Sequence, residues 1–350
     1  MGACPPLRRV ANRRRRHLMT ELFRLEIALL RTVYASFLCL FSIHLAHAQA
    51  FPSKPIRLIV PFSTGGPNDI LARQVGEGMS QLLGQPVVVD NRPGAGGAVG
   101  LDAAAKAAPD GHTMAIISLA TYVLLPLTTN DKLPYESERD LTPIGMIAKV
   151  PNVLAIAPSI GVNDLSSAIA YIKARPGQTF YASPGIGTSA HIVAEFLQRR
   201  LGLKMEHVIY KGSQPALVDL IGGRIQVMFA LPVDTVQLAK DGRIKIVATA
   251  DSRRSPVFPD VPTFHEAGVP DFEATSWFGL VVPSASPRAA MARLNEILNA
   301  VTDKADFRAR LTAQGTEPAG GSIADVARFI QTEKIKWEPM VRASGAKSNQ

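Results

Sequence analysis

The chain has 350 residues, a formal net charge of +9 and just two cysteines. Eight of its 38 Lys and Arg (Arg8, Arg9, Arg13, Arg14, Arg15, Arg16, Arg24 and Arg31) but only Glu21 and Glu26 of its 29 acids lie in residues 1–48, which leaves 30 and 27, a net +3, for the remainder. The basic excess is therefore no argument for a nucleic-acid partner, and because Cys4 and Cys39 fall in the same segment, the remainder has no disulfide, thiol nucleophile or thiolate metal site.

In chain order, the basic cluster is followed by the apolar run 33–46, VYASFLCLFSIHLA. That run is shorter than the roughly 20 apolar residues a bilayer span requires. Ala46-His47-Ala48 then supplies small residues at a cleavage site. This order predicts a signal peptide over 1–48, cleaved near Ala48, and export to the periplasm. Either Met1 or Met19 serves as the start. Arg15-Arg16 hints at a twin-arginine route, although the apolar run lies far downstream, and Phe37-Leu38 before Cys39 argues against a lipoprotein anchor. About 300 residues remain, enough for roughly two domains with cores of their own.

Short β-branched runs then alternate with amphipathic helical segments, the pattern of βαβ units. Strands are predicted at 56–61, 86–90, 113–118, 152–157, 179–183, 206–210, 224–229 and 243–249. Leu71, Val75, Met79 and Leu82 fall on one helical face, as do Met291, Leu294, Leu298 and Val301. Two further strands, 142–148 and 276–282, have no crossover helix after them and sit where the chain would pass between lobes. From Pro287, expected at a first helical position, the chain reads as helical. Lobe one is expected at 51–151 and 274–350, lobe two at 152–273.

The first chemical signal is Pro61-Phe62-Ser63-Thr64-Gly65-Gly66-Pro67-Asn68-Asp69, between a strand and a helix. Such a turn aims backbone N–H groups and a helix N-terminus at an anion without any Lys or Arg; it reads equally well as a plain tight turn with Asp69 placed for the helix dipole. A second turn, Ser183-Pro184-Gly185-Ile186-Gly187-Thr188-Ser189, lies in the other expected lobe. Two such turns face to face would clamp an anion. Thr188 and Ser189 also suit helix capping, and the two roles are compatible. The loops 118–122 and 211–214 belong to the same edge, with Lys211 as their cation or as a solvated rim residue.

Enzyme motifs are not found: there is no G-x-S-x-G elbow, H-E-x-x-H or Walker loop. Gly94-Ala95-Gly96-Gly97-Ala98-Val99-Gly100 has Val99 where a dinucleotide turn needs its third glycine. His191 and Glu195 share a helix face at i, i+4, a spacing more often structural than metallic, and His112, His207 and His265 are dispersed. No catalytic residue, metal or cofactor is expected.

The runs 52–73 (PSKPIRLIVPFSTGGPNDILAR), 84–97 (GQPVVVDNRPGAGG), 107–113 (AAPDGHT), 151–159 (PNVLAIAPS), 210–229 (YKGSQPALVDLIGGRIQVMF), 258–268 (FPDVPTFHEAG) and 275–284 (TSWFGLVVPS), in this order, resemble the Bug-type receptors of tripartite tricarboxylate transporters. The resemblance covers essentially the whole mature chain. It implies an α/β, type II periplasmic-binding-protein fold, with two α/β lobes joined by two crossover strands and closing over a ligand. It also implies a partner permease with two membrane subunits and a receptor expected to act as a monomer. Matched residue by residue, it points to Phe62, Ser63, Gly65, Gly66, Thr121, Ser183, Gly185, Thr188, Ser189 and Lys211 as the groups holding a small carboxylate. Two departures stand out: Ala230 and Leu231 replace a usual Asp-Asn, and Thr121-Tyr122-Val123-Leu124-Leu125-Pro126 replaces a usual Thr-His-x-x-Asn-Pro. Both remove polar groups and suggest a more apolar or aromatic ligand. An enzyme or a ligand sensor on the same scaffold is the alternative, but a sensor would carry a DNA-binding or signalling module, and none is seen.

Overall fold

Strands covered by helices on both faces need near-continuous apolar runs, and the Ile56–Val60 segment, IRLIV, meets that requirement. In the computed structural model, which describes Met19, Leu29, Arg31 and residues 51–129 and 132–345, this segment is β1. The apolar run 33–46 and the cleavage site after Ala48 lie outside the described residues, as do residues 346–350.

From Pro52 onward the chain forms one compact unit. The elements are β1, α1 (Pro67–Leu83), β2 (Val87–Asn91), α2 (Ala98–Ala105), β3 (Thr113–Ser118), β4 (Leu141–Pro151), β5 (Val153–Ile156), α3 (Leu165–Lys173), β6 (Phe180–Ser183), α4 (Ser189–Leu201), β7 (Glu206–Ile209), α5 (Ser213–Ile221), β8 (Val227–Ala230), α6 (Pro232–Lys240), β9 (Lys245–Thr249), β10 (Thr275–Pro283), α7 (Arg288–Thr302), α8 (Ala305–Ala313), β11 (Glu317–Pro318) and α9 (Ile323–Ser344). A π-helical turn, Ala120–Leu124, and one-turn helices at Leu125–Thr128 and Ser137–Asp140 fill the β3 to β4 connection. Among the described residues no helix is long and apolar enough to cross a membrane.

Two sheets result. The first has the order β11-β4-β10-β3-β1-β2, the second β7-β6-β8-β5-β9. The pairs β1 with β2 and β3, and β6 with β7 and β8, are parallel, so the helices that cross back must cover the sheet faces. The stripes expected on α1 and α7 do this. Leu71, Val75, Met79, Leu294, Leu298 and Val301 are 0–1% exposed, and each contributes roughly 1.5–3 kcal/mol of burial. Leu82 and Met291, at the margins of those stripes, are only half-buried.

β4 and β10 pair antiparallel along their length, from Leu141↔Pro283 to Pro151↔Thr275. The chain enters the second sheet just past β4 and returns just before β10. At this crossing the Asn152 N–H donates to the Ala274 carbonyl at 2.9 Å, the Ala250 N–H to the Asn152 carbonyl at 2.8 Å, and the Ala274 N–H to the Ala250 carbonyl at 2.9 Å. The expected spans differ from these elements mainly at their ends. The strand expected at 224–229 starts at Val227, because Gly223 and Arg224 still belong to the turn after α5. Pro287 is the extended cap before α7 (φ −59°, ψ 135°), not its first helical residue. The C-terminal α9 is tied down by Glu333, whose Oε2 accepts the indole N–H groups of both Trp277 and Trp337 at 3.1 Å.

Candidate functional site

The cleft lies where both sheets present strand ends and helix starts. From the first lobe come Phe62, Ser63, Gly66 and the first residues of α1; from the second, Thr188 and Ser189 at the start of α4, Gly212 and Ser213 at the start of α5, and Leu231 just before α6. The N-termini of α1, α4, α5 and α6 thus converge on one space. The first N–H groups of a helix have no acceptor within it and carry the positive end of its dipole. No Lys, Arg, His, Asp or Glu is among the described residues lining the cleft. An anion held there takes its hydrogen bonds from neutral donors.

The first turn is shaped by Asp69, which is 2% exposed. Its Oδ2 accepts the Gly65 N–H at 2.9 Å and Arg73 Nε at 3.0 Å, and its Oδ1 accepts Asn91 Nδ2 at 2.9 Å. Burial alone would raise this carboxyl's pKa, but the hydrogen bonds from Arg73, Gly65 and Asn91 hold it below the ordinary range. The Gly65 N–H is therefore spent on Asp69 and is not offered to the cleft. Asn68 beside it lines the cleft, 8% exposed, with its amide oxygen unpartnered.

In the second lobe Thr188 caps α4. Its Oγ1 accepts the His191 N–H at 3.5 Å and donates to the Gly185 carbonyl at 2.7 Å. Ser189 Oγ accepts from Ser276 Oγ at 3.0 Å and donates to Asn152 Oδ1 at 3.4 Å, while Asn152 Nδ2 reaches the Ala274 carbonyl at 2.8 Å. This triangle of Ser189, Asn152 and Ser276 joins the start of α4 to both crossing strands.

Two bonds close the cleft from lobe to lobe: Ser63 Oγ donates to the Lys211 carbonyl at 2.7 Å, and Gln214 Nε2 donates to the Gly65 carbonyl at 2.9 Å. Gly212, at φ +125°, lies so near that a Cβ on it would sit 2.8 Å from Ser63 Oγ.

Of the residues expected from sequence, Phe62, Ser63, Gly66, Thr188 and Ser189 line the cleft. Gly185 and Lys211 line an adjoining apolar groove on the far side of Phe62 and Ser63, with Gly94 to Gly97 as its opposite wall. Gly65 contributes its carbonyl to Gln214. Thr121 and Ser183 line neither space and are fully buried. The Thr121 hydroxyl accepts the Ser118 N–H at 3.0 Å, and Ser183 Oγ bonds His207 Nε2 at 2.7 Å and the Gly185 carbonyl at 3.1 Å. Both are supports for the turns. Ala230 and Leu231 line the cleft as expected of the first departure, whereas Tyr122 does not. Its hydroxyl donates to the Ser137 and Leu141 carbonyls inside the lobe.

Asn152, Ser276 and Phe278 were not singled out by sequence, although a lone Asn inside PNVLAIA is a visible interruption of an apolar run. His191 and Glu195 do not converge. His191 stacks on His207 at 4.4 Å between ring centroids, His207 stacks on Tyr181 at 4.6 Å, and Glu195 accepts the Tyr181 hydroxyl. Burial lowers the two imidazole pKa values to about 4 and about 3. The Gly94 to Gly100 run is a packing element: at φ +104°, Gly97 brings the loop so close that a Cβ would lie 2.6 Å from Thr121 Cγ2.

With this geometry in hand, comparison with known proteins is specific. The model of the tripartite tricarboxylate transporter family receptor matches residues 71–346. The chain is 38% identical over 301 residues to protein BugT of Bordetella pertussis, covering 86% of this chain and 92% of BugT. Among solved structures it is similar to R. palustris Rpa4515 with adipate, with a TM-score of 0.83 and 32% identity over 85% of this chain and 99% of that one. It is also similar to MatC from Rhodopseudomonas palustris with bound malate, with a TM-score of 0.79 and 33% identity over 83% and 100%.

Proposed function

This chain belongs to the tripartite tricarboxylate transporter receptor family, and from that premise we propose that it is a periplasmic receptor that closes over a small carboxylate and delivers it to the membrane permease subunits of such a transporter. In this reading residues 1–48 are removed on export, residues 51–151 with 274–350 form one lobe, residues 152–273 form the other, and the receptor works as a monomer. The carrying observation is the convergence of four helix N-termini on a cleft whose described lining has no charged side chain. Backbone N–H groups at the starts of α1, α4 and α5 hold the carboxylate, and Met228, Phe229, Ala230, Leu231 and Phe278 face its apolar or aromatic body. The adipate and malate in the two solved relatives support the ligand class. The Ser63 to Lys211 and Gln214 to Gly65 bonds latch the closed state, and the Asn152 crossing is the hinge. A receptor fits this lining better than an enzyme, because hydroxyls, amides and apolar groups supply no general acid or base.

The test is calorimetry on the exported protein against short dicarboxylates, hydroxy acids and aromatic carboxylates, with the ligand recovered and identified afterwards. Saturable binding with the ligand intact is expected; steady conversion to product would overturn the receptor reading in favour of an enzyme.

A further inference from the structure

At the α5 end of the cleft one acid stands without a counterion. Asp234 is in the first turn of α6. The residue as a whole is half-buried, yet both carboxyl oxygens are shut off from solvent and neither has a partner in hydrogen-bond geometry. The groups against the carboxyl are the Ser213 hydroxyl and the N–H groups of Asp234 and Leu231. Ser213 is the first residue of α5 and itself lines the cleft, so a single hydroxyl stands between this acid and a ligand.

No charged side chain of the described residues is among the groups that act on Asp234. From α5, Asp219 is engaged with Tyr210 and Arg224; from α6, Lys240 lies in the last turn. Lys211, on the loop before α5, lines the adjoining groove instead. An ionised Asp234 is thus desolvated with only the neutral donors of Ser213, Asp234 and Leu231 and the helix dipole to offset the cost, and burial outweighs them. An anionic ligand one hydroxyl away would add like-charge repulsion in a poorly screened site. Burial accordingly pushes this carboxyl up to about 7. A proton on Asp234 removes both costs. The neutral carboxyl donates to Ser213 Oγ, and the Ser213 O–H is then free to point at the ligand.

We propose that Asp234 is the positioning residue for this end of the cleft: it keeps its proton in the liganded protein, donates a hydrogen bond through it to Ser213 Oγ, and so makes Ser213 a donor to the ligand carboxylate, with up to one proton taken up per anion captured under conditions where the free protein's Asp234 is ionised. The inference rests on the reading of the cleft as a carboxylate site. The plainer alternative, an ionised acid that only caps α6, predicts no proton uptake.

The experiment uses the mature protein and whichever of adipate, malate or an aromatic carboxylate it binds. Wild-type affinity is expected to fall by up to about tenfold per pH unit above about pH 7, with proton uptake seen as a dependence of the calorimetric heat on buffer ionisation enthalpy. Asp234→Asn, a permanently neutral donor, should retain the low-pH affinity and lose the slope; Asp234→Leu should lose the slope and roughly tenfold or more of the affinity, because Ser213 is no longer oriented. Without any ligand, wild-type stability relative to Asp234→Asn should decline as pH rises from about 4 to about 7, the sign required when a carboxyl's folded pKa lies above its unfolded value. Binding that is independent of pH, an unchanged slope in Asp234→Asn, or heats independent of buffer would each overturn the proposal while leaving the carboxylate reading intact. The buffer comparison needs only wild-type protein, so it stands even if the variants fold poorly. A protein that binds no carboxylate at any pH overturns the cleft reading and the coupling together.

Discussion

Replacing Thr188 by Val tests whether its hydroxyl is a ligand donor or a helix cap. The structure assigns both functions of that hydroxyl within the turn: its proton goes to the Gly185 carbonyl at 2.7 Å, and its lone pair accepts the His191 N–H at 3.5 Å. Val preserves the shape at a site that is 5% exposed, and it removes the cap. The Gly185 carbonyl keeps Ser183 Oγ at 3.1 Å and the Thr188 N–H at 3.3 Å, so the main loss is the cap itself, about 1–2 kcal/mol. At about 2.1 cal/mol/K of unfolding entropy per residue over roughly 300 residues, each kcal/mol lowers Tm by about 1.6 °C. A drop of roughly 2–3 °C is therefore expected, with Thr188→Ser restoring most of it. Carboxylate affinity should change only a few-fold, through the altered start of α4. Differential scanning calorimetry and ligand titration decide between the two roles. A wild-type Tm combined with affinity reduced about 10- to 150-fold, the worth of one charge-assisted hydrogen bond, would refute the capping argument and make the hydroxyl a ligand contact.

Gly212→Ala puts a Cβ 2.8 Å from Ser63 Oγ at a residue with φ +125°, so it should hold the lobes apart and weaken ligand binding at least about tenfold, or about 1.4 kcal/mol; small-angle scattering that shows ordinary ligand-induced compaction in this variant would contradict the latch. Asp69→Asn keeps the side chain's size but weakens the bonds to Gly65 and Arg73, and it should cost about 2 kcal/mol in denaturant unfolding; a loss below about 0.5 kcal/mol would show that the turn does not depend on this carboxylate. His191 and His207 have folded pKa values lowered by burial to about 4 and about 3, so the unfolded chain binds more protons between those values and about 6.5, and stability present at neutral pH drains away as the pH falls through that window. A urea midpoint that stays flat from pH 7 to about pH 4, or an unaltered slope in His191→Asn, would contradict their burial in neutral form.

Much of the scaffold is legible in the sequence, because the constraints that shape it are local. A parallel strand with both faces covered writes itself as an apolar run, as 56–61 does for β1. A helix resting on a sheet repeats its apolar residues along one face, as Leu71, Val75 and Met79 do. The two glycine and hydroxyl turns are likewise visible, since each joins a strand end to a helix start within a few residues. The same locality limits what can be read at the turns: Thr121 and Ser183 lie in the expected loops, but their hydroxyls turn inward to neighbouring turn atoms and, for Ser183, to His207.

What the sequence by itself determined is the α/β alternation, the two crossing strands, the small net charge beyond residue 48 and the two glycine and hydroxyl turns. Tertiary structure alone decided which donors remain available. Gly65 and Thr188 read alike as anion donors until the packed turns give the Gly65 N–H to Asp69 and the Thr188 proton to Gly185. The Ser63 to Lys211 bond joins residues 148 apart in sequence, and Ser189 meets Asn152 and Ser276 across separations of 37 and 87. No periodicity encodes such pairs, because they depend on how two sheets bring their loops together. Asp234 is the sharpest case: along the chain it is an ordinary acid in the first turn of a helix, and only the fold buries its carboxyl beside Ser213 without a cation.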